Sequence, residues 1–321
     1  MKRVYLFVSL CSFLTVLMLS GCSRSEKPAA TSRLQVVTTL YPQFDFARII
    51  GGDRADVSLL LPPGMEPHSF EPKPNDIVRI ANAGLFIFTN PAMEPWAARV
   101  LSSLGGKAPR TVDASQGIVF APLAGDDDHG HGTNHDDHHR AAGELDPHIW
   151  LDFANAVRMV DSIANGFATA DPAGEHGYRQ RAEALKTSLA DLDRRYREGL
   201  SGCASRVLLH GGHFTFGYLA RRYGLEYRSL SGISSESEPS AARMAAMVRQ
   251  IKSSGARYLF AEELLSTRLS EALAAETGVG VLMLHGAHNV GRDDASRPTG
   301  FIHLMDRNLD NLKKGLGCRQ K

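Results

Sequence analysis

From Leu34 onward the chain alternates short apolar runs with segments of helical periodicity, and this alternation limits the fold more than any other feature. Residues 34–39 (LQVVTT), 56–61 (DVSLLL) and 85–88 (LFIF) have strand length and strand composition. Between and after them, 41–52, 73–83 and 95–106 read as helices, with Asn75 as a cap of the second. Strands that alternate with helices form parallel βα units, because each helix carries the chain back across the sheet. Helical periodicity resumes at 153–168. A long stretch follows from Asp171, an expected N-cap with Pro172 in the first turn. Ala182, Leu185, Leu189 and Leu192 repeat there at helical spacing. The pattern predicts one helix of about 27 residues, roughly 40 Å long, enough to span two lobes. A second α/β half then repeats the scheme. Its expected strands are 206–210, 226–230, 257–261 and 279–284, and its expected helices lie near 214–223, 239–253, 267–276 and 300–315.

Ligands of open α/β sheets gather at the carboxyl ends of the strands, and several histidines sit there. His68 follows the 56–61 strand, His213 follows 206–210, and His285 and His288 follow 279–284. Histidines from distant segments are thus placed where two sheets could face one another. Residues 126–143 interrupt the alternation with a run of Asp, Gly and His that includes His129, His131, His135, His138 and His139. With almost no apolar side chains it cannot bury itself, so a surface loop is expected.

The first residues read as a targeting segment. Lys2 and Arg3 precede an apolar run from Val4 to Leu19, shorter than the ~20 residues of a membrane-spanning helix. The ending Leu19-Ser20-Gly21-Cys22 resembles the bacterial lipobox, which implies cleavage before Cys22 and lipidation of its thiol. Residues 23–33 read as a polar tether. Two further cysteines, Cys203 and Cys318, remain in an exported and oxidising setting, where a disulfide between them is expected. Two buried thiols are the alternative. The charge balance, 36 basic against 35 acidic residues, gives no reason to expect a nucleic acid.

The segments around the histidines resemble the solute-binding proteins of bacterial ABC metal importers, the cluster A-I (TroA-like) family. PGMEPHSFEPKPND (63–76) is similar to the family's first metal loop, and DPHIWLD (146–152) to its second signature. HFTFGYLARRYGL (213–225) is similar to the third, and GISSESEPS (232–240) and FAEELLSTRLSEALAAETG (260–278) also fit. The resemblance covers nearly the whole chain after the tether. It implies two α/β lobes with parallel sheets, joined by one long rigid helix, with a metal site in the cleft between them. The implied divisions are a signal peptide over 1–21, a tether over 22–33, an N-terminal lobe over 34–170, a linking helix over 171–200 and a C-terminal lobe over 201–321.

Carried over residue by residue, the resemblance implies His68, His148 and His213 as metal ligands. The family's fourth position is usually an aspartate in a late loop or is left to water. Here MLHGAHNVG (283–291) offers no aspartate, so His288 is the expected fourth ligand and His285 the runner-up. Glu66 is an auxiliary oxygen ligand or a solvated carboxylate, and Glu262 is expected to be structural at the interface. Three or four neutral imidazoles suit Zn(II) first, whereas manganese prefers oxygen-richer sets. The resemblance further implies a monomer that delivers zinc to an ABC permease and its ATPase from a lipid anchor on the cell envelope. The histidine-rich loop reads as an accessory. A zinc hydrolase is the rival of another class, but the H-E-x-x-H helix motif is absent. A zinc-binding adhesin or buffer is a further alternative.

Overall fold

The computed structural model describes residues 33–123, 145–232, 239–263, 267–291 and 299–319. The signal segment, nearly all of the tether and the histidine-rich stretch lie outside the described residues. Eight strands form two parallel sheets of four. The first contains β1 (Leu34–Thr38), β2 (Ala55–Leu59), β3 (Leu85–Phe88) and β4 (Arg110–Asp113), in the order β2-β1-β3-β4. The second contains β5 (Val207–His210), β6 (Glu226–Ser229), β7 (Tyr258–Glu262) and β8 (Gly280–Leu284), in the order β6-β5-β7-β8. The two orders are the same, strand for strand. β4 was not expected from the sequence. It is an edge strand reading RTVD, with one apolar residue that is buried and two exposed polar ones, so it lacks the apolar run by which the others are recognised.

The central strands are apolar on both faces because helices cover both. Alternate side chains go to opposite sides. Val36, Leu85 and Ile87 join the central core, while Val37, Phe86 and Phe88 join a separate cluster on the outer face. That outer face is covered by α2 (Pro74–Ala81) and α3 (Pro95–Leu104), through Ile80, Trp96 and Val100. In the second sheet Leu208 and Phe260 face the central core, and Leu209 and Leu259 face α7 (Ala241–Ser254) and α8 (Arg268–Thr277).

The central core is continuous from one sheet to the other. It takes in α1 (Tyr41–Gly51), α4 (Phe153–Ala170), α5 (Glu175–Leu200), α6 (Gly217–Tyr223) and α9 (Phe301–Gly315). α5 is the long helix, 26 residues, about 39 Å at 1.5 Å per residue. Ala182, Leu185, Leu189 and Leu192 are buried along one stripe, extended by Tyr178, Tyr196 and Leu200. It packs against α1 and α4 on the side of the first sheet and against α9 on the side of the second.

Two expected caps are corrected. The long helix begins at Glu175, after a short 3-10 turn over Pro172–Gly174. Asp171 does not cap it; its carboxylate accepts from Arg54 and from the Tyr178 hydroxyl, so a tertiary ion pair has taken the side chain. α2 begins at Pro74, which puts Asn75 inside the first turn; Asp76 instead reaches back to accept the Lys73 N–H. Cys203 and Cys318 are disulfide-bonded, tying the start of the second half to the end of α9.

Candidate metal centre

Each half brings two histidines to the cleft between the strand ends. His68 lies in the loop after β2, which is stiffened by Pro62, Pro63, Pro67 and Pro72. His148 precedes a 3-10 turn (Ile149–Leu151) that leads into α4. His213 follows β5, and His288 follows β8. One ring nitrogen from each of the four lies within 4.8 Å of all the others. The Nε2 atoms of His68 and His148 are 3.2 Å apart. Zinc with four imidazoles at 2.0–2.1 Å requires nitrogens ~3.4 Å apart in a regular tetrahedron, so the set needs to close by only roughly 1 Å.

His285 and Glu66 are not in this group. Asn308 holds both the N–H and the carbonyl of His285, and the Nδ1 of His285 sits 3.0 Å from Glu263 and accepts the Ala287 N–H. Glu66 accepts the backbone N–H of His68 at 3.1 Å. The loop that carries His288 contains Ala287, the one non-glycine among the described residues with positive φ, at 58°. Such a conformation costs a side-chain-bearing residue energy and persists where the surroundings enforce it. Here Trp150 Nε1 donates to the Gly286 carbonyl at 2.8 Å, and the Tyr41 N–H donates to the His288 carbonyl at 3.0 Å. Trp150 also presents its indole to the rings of His148 and His288, shielding the site on that side.

Two of the four rings are oriented by buried carboxylates. His148 Nδ1 lies 2.7 Å from Asp146, which also accepts the His148 N–H. His213 Nδ1 lies 2.7 Å from Glu262, which likewise accepts the His213 N–H. A carboxylate on Nδ1 fixes the ring and turns Nε2 to the metal side. Glu262 therefore orients the His213 ring, a more specific role than the interface support expected from the sequence. Asp146 was not singled out there. Its position two residues before His148 in the DPH segment was the available signal. Further out, the Asn90 side-chain amide donates to the Pro147 carbonyl, and Asn90 is itself held by Glu94.

The electrostatics keep three rings neutral. Burial, then the nearby charge of His213, holds His68 down at about 3. Burial, then the neighbouring imidazoles, keeps His148 and His288 well below the usual histidine range. His213 is the exception: burial pulls it down, but the adjacent Glu262 outweighs burial and raises it. Neutral imidazole is the form that binds a metal, and burial favours that form at His68, His148 and His288.

Two parallel α/β lobes, a long helix packed against both and a histidine cluster at their facing strand ends define a two-lobed solute-binding protein. Residues 36–315 match the family of zinc-uptake complex component A, periplasmic (ZnuA), and the chain belongs to that family. The zinc-binding lipoprotein AdcA of Streptococcus pneumoniae is 32% identical over 315 residues, covering 98% of this chain and 61% of AdcA. The chain therefore spans only part of that relative. The high-affinity zinc uptake system protein ZnuA of Bacillus subtilis is 32% identical over 315 residues, 97% of each chain. The crystal structure of the Zn(II)-bound ZnuA-like domain of S. pneumoniae AdcA superimposes with a TM-score of 0.75 at 31% identity, covering 88% of this chain and 99% of that one.

Proposed function

We propose that this chain captures Zn(II) at the cell envelope and hands it to an ABC permease driven by its ATPase. Zinc is the cargo, held by His68, His148, His213 and His288. The observation that carries the reading is the convergence of four ring nitrogens from four separate loops, with no carboxylate among them. An all-imidazole set favours zinc over manganese, and the family and its zinc-binding relatives support the same choice. Delivery requires release rather than turnover, and four neutral ligands leave no coordination position reserved for a reacting water. Within this reading, residues 1–21 are the export signal, Cys22 carries the lipid and 22–33 form the tether. Residues 34–170 and 201–321 are the two lobes, joined by 171–200. The histidines at 129, 131, 135, 138 and 139 are accessory capture groups, and Glu66 is an outer carboxylate beside His68.

Metal analysis of the mature chain lacking residues 126–143 tests this. One tightly held Zn(II) per chain is expected, and His288→Ala should weaken it more than a hundredfold. Loss of the tight site on removing 126–143 would place the primary ligands in that segment instead.

A further inference from the structure

The four rings are not equally ready for a metal. His288 Nε2 is buried with no hydrogen-bond partner, and the Nε2 atoms of His68 and His148 face each other. His148 is held by Asp146 on Nδ1 and meets only another ring of the set, His68, at Nε2, whereas His213 is engaged at Nε2 by a group from outside the set. Glu262 takes Nδ1, and Nε2, the nitrogen left for a metal, lies 2.9 Å from the Thr215 hydroxyl. Thr215 is fully buried, and its backbone N–H donates to the Tyr227 hydroxyl at 3.1 Å. It is therefore held in place beside the ring, out of contact with bulk solvent.

We propose that Thr215 limits the affinity of the site by competing with the metal for His213 Nε2. This rests on His213 being a ligand, as argued above. When the ring is neutral, the Thr215 hydroxyl donates to the lone pair that a metal requires. When the ring is charged, Nε2–H donates to Thr215 Oγ1. Either bond stabilises the empty site and is lost when an ion arrives. The hydroxyl has a second acceptor ready, the His213 carbonyl 3.4 Å away. Rotation about the Cβ–Oγ1 bond transfers it there with no heavy atom moving. The site thus carries an internal threshold against any divalent ion that takes His213. A net hydrogen bond of ordinary strength corresponds to about fivefold in affinity, ~1 kcal/mol at 1.4 kcal/mol per tenfold.

Thr215→Val keeps the shape and removes the hydroxyl; Thr215→Ser keeps the hydroxyl. In the full chain, zinc affinity measured against a competing chelator, which reads only the tightest site, should improve about fivefold in Thr215→Val and match wild type in Thr215→Ser. In the metal-free protein the nitrogen NMR signal of His213 Nε2 should move in the valine variant and not in the serine one. Thr215→Ala replaces the valine variant if that one misfolds, with the same expectations. Unchanged or weaker zinc binding on removal of the hydroxyl overturns the proposal, as does an unmoved His213 signal. Failure of the wild-type chain to hold zinc tightly would instead sink the proposed function, and the metal-free signal would still decide whether Thr215 engages the ring.

Discussion

The two halves share one strand order but use the same scaffold positions for different ends. In the first half the carboxyl ends of β1 and β3 carry Thr39, Gln43, Thr89, Asn90 and Glu94. The Glu94 carboxylate accepts from the Thr39 and Thr89 hydroxyls and from the backbone N–H groups of Thr89 and Asn90, and Gln43 donates to both threonines. In the second half the matching ends of β5 and β7 carry His213 and Glu262. Both glutamates are buried, yet they shift in opposite directions. Burial pushes Glu94 up to about 7, against the pull of its hydrogen bonds. Burial also pushes Glu262 up, but the charge and hydrogen bonds of His213 overcome it and bring the carboxyl below its usual value. What separates Glu94 from Glu262 is the neighbour, since the depth in the fold is the same.

The largest difference to test is closure. The second half is closed by the Cys203–Cys318 disulfide over a separation of 115 residues. Chain entropy assigns such a loop ~5 kcal/mol. Reduction, or Cys203→Ser with Cys318→Ser, should lower unfolding stability by about that much, measured in urea with metal absent. A loss under ~1 kcal/mol would mean that packing alone closes this half.

The next contrast is in pH. Glu94 titrates near its ordinary 4.5 when unfolded and near 7 when folded, so between those values the folded state holds the extra proton. The stability gained in this way is complete below about pH 4.5 and is lost as pH rises towards 7. Glu94→Gln cannot titrate. Its stability relative to wild type should therefore improve by ~3 kcal/mol from pH 4.5 to 7.5. A difference that stays flat with pH would show that hydrogen bonding outweighs burial at Glu94.

Zinc binding should reverse the ranking of the two glutamates. Glu262→Gln and Asp146→Asn should each weaken zinc about 10- to 100-fold, as is usual for the carboxylate behind a ligating histidine. Glu94→Gln at neutral pH should stay within a few-fold of wild type. Equal losses at Glu94 and Glu262 would erase the distinction drawn between the halves. The smallest effect is expected at His285→Ala, within about threefold of wild type. A loss as large as that of His288→Ala would exchange the roles of these two residues.

Much of this was legible in the sequence. Seven strands, the long helix and the convergence of histidines at strand ends could be read because each rests on local pattern: apolar runs, helical spacing, and residues placed just after a strand. β4 was not legible, because its four residues hold a single apolar side chain, Val112. The start of α5 was misread because Asp171 is drawn to Arg54, a partner 117 residues away. Glu262 and Thr215 were visible as residues but not as partners of His213. Glu262 reaches that ring from another strand, and Thr215 reaches it by the fold of a turn, and neither contact leaves a periodic trace.

The loops of His68 and His288 are 220 positions apart in sequence yet are stitched directly together. Asn289 donates to the carbonyls of Pro62 and Met65, and the Gly64 N–H donates to the Val290 carbonyl. Contacts of such long span form late, because the entropy of closing the intervening chain must first be met. The centre therefore depends on closing a span of more than 200 residues. A chain cut short before residue 288, by an incomplete message or a protease, would keep three of the four histidines and the whole first sheet but lose every one of these stitches.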